Sequence, residues 1–148
     1  MTLRLTRAAD YAILAMMHLG SLPDGGIALK DQIARAQDIP PSFLAKILRQ
    51  LVQTGLLRSA RGVNGGFGLQ RTPAEINLLD ILEGIEGPIQ STDGARDPDR
   101  RPCSRERPTS GVWLEVQRQV AVMLRRTTLE ELLSAPRKNQ RAKYNFRI

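Results

Sequence analysis

Residues 41–69 read PSFLAKILRQLVQTGLLRSARGVNGGFGL. Leu44, Ile47, Leu48, Leu51 and Val52 recur at the spacing of one helix face, and Pro41-Ser42 suits a helix start. Gly55 is placed to end that helix. Beyond it, Leu57 and Ser59 alternate with Arg58 and Ala60, and Phe67 and Leu69 alternate after a glycine-rich tip, which predicts a β-hairpin. The glycines raise a second reading, a loop that cradles a phosphate. Such a loop lies between a strand and a helix, so that the amides of the helix N-terminus meet the phosphate. Here a strand follows the glycines, Pro73 follows the strand, and Gly62, Gly65, Gly66 and Gly68 miss the spacing of the nucleotide fingerprints. We therefore read a hairpin whose tip needs glycine for positive φ.

Upstream, a short helix is predicted around residues 29–37, with Ile33 and Ala34 inward, and Asp38-Ile39-Pro40 reads as a turn. Ala34 is small where two helices of a helix-turn-helix must approach closely, and Ile39 plugs the turn. With the apolar stripe of residues 41–53 inward, Ser42, Lys46, Arg49, Gln50 and Gln53 point outward. That face is basic and amide-bearing and carries no acid, whereas a solvated helix face usually mixes in Glu or Asp. Such chemistry meets base edges and phosphates in a major groove. The hairpin then becomes the wing of a winged helix. Arg61 at its tip suits the narrow minor groove, where the potential is most negative. Gly62, Asn64 and Gly65 share that tip, and Arg58 flanks it. The candidate DNA-binding set is thus Ser42, Lys46, Arg49, Gln50, Gln53, Arg58, Arg61, Gly62, Asn64 and Gly65.

The whole chain agrees with this direction. Its 148 residues carry a formal net charge of +7, which favours a polyanionic partner. No apolar run approaches the roughly 20 residues of a membrane span, and Arg4, Arg7 and Asp10 interrupt the start as a signal peptide would not. A cytoplasmic protein with no membrane partner is expected. Cys103 is the only cysteine and closes no intrachain disulfide.

The first helix is predicted from Leu5 to Leu19, with Pro23, Gly25 and Gly26 ending it. After Pro73 a helix starts at Asn77, where Asn77 and Asp80 have capping-box spacing and Ile76 and Ile81 can form a staple; it stops at Gly87-Pro88. Residues 89–108 are dominated by charged and turn-forming residues and read as a loop. From Ser110 a long helix returns, with Trp113, Val116, Val120, and Met123 or Leu124 on one stripe. Thr128 and Glu131 then cap a short last helix, and a basic tail without acids follows. The fold expected is mainly α with a small β-hairpin wing. Residues 1–88 form a winged helix-turn-helix, 89–108 a sensor-type loop, 109–135 a dimerisation helix with a short final helix, and 136–148 the tail.

LRLTRAADYAILAMMHL, IPPSFLAKILRQLVQTGLLRSARGVNGGFGLQR and INLLDILEGIEGP resemble the Rrf-two family of bacterial winged-helix regulators, the IscR, NsrR, RirA and CymR type. The resemblance covers residues 2–88 closely and 109–133 in outline. It implies a homodimer on a palindromic double-stranded DNA operator, with the long helix crossing its partner through Trp113, Val116, Val120, Met123 and Leu124; a repressor is expected. Many members hold an iron–sulphur cluster through three cysteines in the loop before that helix. In this chain the first of those positions falls near Gly94 and the third near Arg107, and only Cys103 remains. Asp10 sits where some relatives supply a ligand from the partner subunit. One thiolate and one carboxylate are too few for a cluster normally held by about four protein ligands, so no iron–sulphur cluster, no other cofactor and no metal site are expected.

Arg100, Arg101, Arg105 and Arg107 surround Cys103, and positive charge makes a thiol reactive. Cys103 is therefore a candidate redox sensor, although a cysteine without a role is the simpler reading and the one favoured. A small-molecule or protein effector is left open. His18 has no second ligand at metal spacing and reads as structural. A protein-interaction module is the competing function; the acid-free helix face and Arg61 weigh against it. No catalytic constellation is visible, and an enzyme is not expected.

Overall fold

The computed structural model describes residues 4–63, 65–89 and 110–135. Residues 1–3, Asn64, residues 90–109 with Cys103 among them, and residues 136–148 lie outside the described residues. Helix α1 spans Arg7–Gly20, and Thr6 caps it by accepting from the Ala9 N–H at 3.1 Å. The Thr6 hydroxyl also donates to the Glu86 carboxylate, joining the start of α1 to the end of α4 (Leu78–Glu86). Three fully buried alanines, Ala9, Ala12 and Ala15, let neighbouring helices approach α1 closely. Gly20 is followed by a tight 3-10 turn at Pro23–Gly25.

The helix-turn-helix follows as α2 (Lys30–Gln37) and α3 (Pro41–Gln53). Leu29 has no capping side chain of its own; the Gln32 carboxamide oxygen accepts from its N–H at 2.8 Å instead. Asp38 closes α2 in the left-handed conformation, φ 53°, which a short polar side chain tolerates. The Ile39 N–H then returns to the Ala34 carbonyl at 3.0 Å, and the Ile39 side chain is buried. Leu44, Ile47, Leu48 and Leu51 of α3 are all buried against α1, α2 and α4, as their spacing predicts, and Val52 packs at the margin of this core. Among the described residues no polar or charged residue is buried.

Strands β1 (Leu57–Ala60) and β2 (Gly66–Leu69) form an antiparallel pair, Leu57 opposite Leu69 and Ala60 opposite Gly66. The sequence does not signal a third participant. Ala28, just before α2, bridges to Phe67 through two backbone hydrogen bonds of 2.8 and 3.0 Å. This contact explains the glycine at position 66: φ is +151° there, and a Cβ would lie 2.5 Å from the Ala28 carbonyl oxygen. The hairpin is thus held on both sides, by its own pairing and by the backbone leading into the helix-turn-helix.

After a second 3-10 turn at Pro73–Glu75, Asn77 caps α4 by accepting from the Asp80 N–H at 2.9 Å. The Asp80 carboxylate takes the Asn77 side-chain amide at 3.1 Å, a shorter reach than a Glu at this position would have. Ile76 and Ile81, the expected staple, are fully buried.

Helix α5 (Ser110–Arg126) packs on α4, and α6 (Leu129–Ser134) packs on α1. Backbone bonds Leu78 N–H to Thr127 carbonyl and Leu129 N–H to Ile76 carbonyl, each 2.8 Å, splice the C-terminal segment onto the start of α4. Leu129 is fully buried in the same core as the helix-turn-helix. Residues 127–134 therefore close the winged-helix core, rather than standing apart with the long helix as the sequence suggests.

Candidate nucleic-acid interface

Two surfaces bear on function. The first is the outward side of α3 with the adjoining wing. Ser42, Lys46, Arg49, Gln50 and Gln53 are all exposed, as the buried stripe opposite them requires. Among the described residues no acidic side chain forms an ion pair with Lys46, Arg49 or Arg61; the ion pairs there are Arg71 with Asp80 and Arg118 with Glu115. Arg61 leaves the end of β1 exposed. Val63 is wholly exposed at the tip, and the Gly65 N–H bonds the Gly62 carbonyl at 2.9 Å to close the turn. A Cβ on Gly65 would lie 2.6 Å from the Ala60 carbonyl oxygen, so the tip is too tight there for any side chain.

Arg58 differs from the rest of the candidate set. It stands opposite Gly68 in the register, and the missing side chain there lets its guanidinium lie across the hairpin. It donates to the Gly25 carbonyl at 2.8 Å. Arg58 therefore ties the wing to the turn after α1, a structural task that its flanking position in the sequence does not disclose.

Phe43 falls on neither the buried stripe nor the polar face of α3 by its spacing. It is 40% exposed, and its ring meets Tyr11 of α1 edge-on, centroids 5.6 Å apart and planes at 80°. This contact places the second turn of α1 beside the first turn of α3. His18 lies between α1 and α2, its Nδ1 3.5 Å from the Gln37 side-chain amide, and Asp10 is exposed in the first turn of α1. Among the described residues no group of three His, Cys, Asp or Glu side chains could hold a metal ion.

The second surface is on α5. Trp113, Val116, Val120 and Met123 are 46, 42, 39 and 70% exposed, and their spacing alternates between three and four residues. That is the spacing found where helices pair with other helices, and Val112 and Leu114 at the start of α5 are exposed as well. Ala121 is buried and Leu124 half-buried, on the side turned to the rest of the chain. Of the two alternatives for the end of the stripe, Met123 is the outward one. Beside the stripe, Arg118 donates two hydrogen bonds of 2.7 and 2.8 Å to Glu115. The Arg118 guanidinium first, and Gln119 second, hold the Glu115 carboxyl down at about 2.

A sequence profile described as "Rrf2: Iron-dependent Transcriptional regulator" matches residues 5–135. The chain belongs to the Rrf2 family. It is a winged-helix, DNA-binding regulator of transcription, and the family and its relatives are regulators rather than enzymes. The Rrf2 chain is 29% identical over 146 residues to the HTH-type transcriptional regulator CymR of Bacillus subtilis, covering 99% of this chain and 100% of that one. It is 35% identical over 133 residues to Rv1287 of Mycobacterium tuberculosis, a candidate HTH-type transcriptional regulator, covering 88% and 81%. Among solved structures, IscR of T. potens superposes with a TM-score of 0.74 at 25% identity, covering 93% of this chain and 91% of that one. CymR of B. subtilis, described as a global cysteine regulator, superposes at 0.71 and 28%, covering 90% and 98%. Among the described residues no helix is long and apolar enough to cross a membrane.

Proposed function

We propose that two copies of this chain pair through the exposed α5 stripe and act as a repressor on a palindromic operator. Each α3 enters a major groove, with Ser42, Lys46, Arg49, Gln50 and Gln53 toward the DNA. Each wing follows the adjoining minor groove with Arg61, Gly62, Asn64 and Gly65. The observation that carries this reading is the acid-free outward face of α3, its cations in no ion pair among the described residues, with a glycine-built wing beside it. A face without carboxylates suits the phosphate backbone of DNA, whose negative charge is continuous along the duplex. The repressor assignment supposes an operator that overlaps a promoter, where a bound dimer excludes the polymerase by bulk.

The test is Arg61→Ala. Its operator affinity in a gel-shift titration should fall by about 1–3 kcal/mol, the scale of a good groove contact. Unchanged affinity would remove the wing from the interface.

The family's description is iron-dependent, yet the donor set of this chain does not fit an iron–sulphur cluster. The chain has one cysteine and one histidine, and such clusters need about four ligands, mostly thiolates. We propose regulation without a cluster. Protein purified without oxygen should be colourless, and chelating iron should leave its operator binding unchanged. Visible absorbance with iron and sulphide in matching amounts would refute this. Signal reception then falls to oxidation of Cys103 or to an effector. Cys103→Ser, assayed for DNA binding with and without peroxide, separates the two.

A further inference from the structure

We propose that Phe43 reads the C5-methyl group of a thymine in each operator half-site. The inference rests on the placement of α3 in the major groove and adds a specificity-determining residue to it. Phe43 is a large apolar side chain left 40% exposed beside the polar outward residues of α3. It lies in the first turn of α3, directly after Ser42 and one turn before Lys46. In a helix-turn-helix, the N-terminal residues of the second helix are those that reach base edges. On the solvent side its helical neighbours are Lys46 and Gln50, at three and seven residues' distance, and both are exposed.

The ring is not loose. Tyr11 meets it edge-on, with centroids 5.6 Å apart, so α1 holds one side of the ring while the other faces solvent. A phenyl ring has no donor for a phosphate and no partner for the polar atoms of a base edge. The major groove offers one apolar group on those edges, the thymine methyl. The chemistry of this position therefore matches thymine and discriminates against cytosine, which lacks the methyl. Tyr11 acts as a positioning residue, since it touches Phe43 and holds the ring in place.

The test uses the full-length protein and an operator selected from randomised duplexes. Each thymine of the selected site is replaced in turn by deoxyuridine, which deletes the methyl and leaves the pairing edge intact. At one thymine per half-site, wild-type binding in an anisotropy titration should weaken about three- to fivefold, the effect of losing one buried methyl-sized contact. Phe43→Ala should bind the thymine and deoxyuridine duplexes equally, and Phe43→Leu should keep part of the preference. Because the methyl is removed from the DNA, the wild-type result does not depend on how well any variant folds. If wild type and Phe43→Ala respond alike to deoxyuridine at every position, or if Phe43→Ala weakens all sequences equally, the inference fails while DNA binding stands. If no duplex is selected at all, the DNA-binding reading fails and this one with it.

Discussion

A Trp113→Asp/Val120→Asp variant is expected to sediment as a folded monomer and to bind operator DNA at least about a hundredfold more weakly than the parent. Within one chain both side chains are more than a third exposed, so aspartates there meet water and leave the core intact. In a dimer the same positions would be buried twice over, because a two-fold interface places each residue in both halves. A carboxylate taken out of water without a partner costs several kcal/mol, and this variant introduces four of them per dimer. The loss of DNA affinity follows from valency: a palindromic site held by one subunit at a time forfeits the linked second half-site, and linkage of that kind is worth about 10²–10⁴. Circular dichroism should match the parent. An intact dimer at micromolar concentration would place the interface elsewhere.

The second large effect is expected at the wing. Gly66→Val should lower the unfolding free energy by about 2–4 kcal/mol, on the scale of strain and overpacking at a close approach. Position 66 has φ +151°, and the Ala28 carbonyl oxygen and carbon would stand 2.5 and 2.8 Å from the new Cβ. Both are backbone atoms, so no side chain can swing aside. Relief requires the Ala28–Phe67 bridge to open, which frees the wing from the segment leading into α2. Val63→Ala is the matched control, because Val63 is fully exposed at the same tip and should leave the midpoint of a urea melt where it was. A Gly66→Val melt that overlays the parent would show that the bridge does not hold the wing.

Much of this architecture is legible in the residues themselves, and the exceptions share a cause. α3 is readable because four buried residues repeat at one helical period and proline and glycine bracket them. The hairpin is readable because only a tight turn concentrates glycine between alternating residues. The third participant in the wing is not, since Ala28 pairs through backbone atoms alone and a single bridge leaves no alternation to find. The tie made by Arg58 is hidden for the same reason: its partner is the Gly25 carbonyl, a backbone group that every residue type carries. Leu129 joins the main core through a six-residue helix, too short for its periodicity to say which body it packs on. Met123 and Leu124 are adjacent, so one helical stripe admits either, and only the packing of α5 on α4 decides between them. Phe43 belongs to neither the core stripe nor the polar face by pattern, and its contact with Tyr11 appears only when α1 is folded beside α3.

The most direct measurement is the salt dependence of operator binding by the intact protein, followed by anisotropy between low and physiological ionic strength. Lys46, Arg49 and Arg61 form no ion pair among the described residues, and a dimer presents each of them twice. Neutralising phosphates releases condensed counterions, so the logarithm of the binding constant should fall linearly with the logarithm of salt, with a slope of about −4 or steeper. Replacing Arg61 with alanine should make that slope shallower by about 1–2. A steep slope that shrinks in the Arg61→Ala protein is the result expected if α3 and the wing grip DNA. Affinity that is flat across the salt range, or a slope indifferent to Arg61, would contradict it.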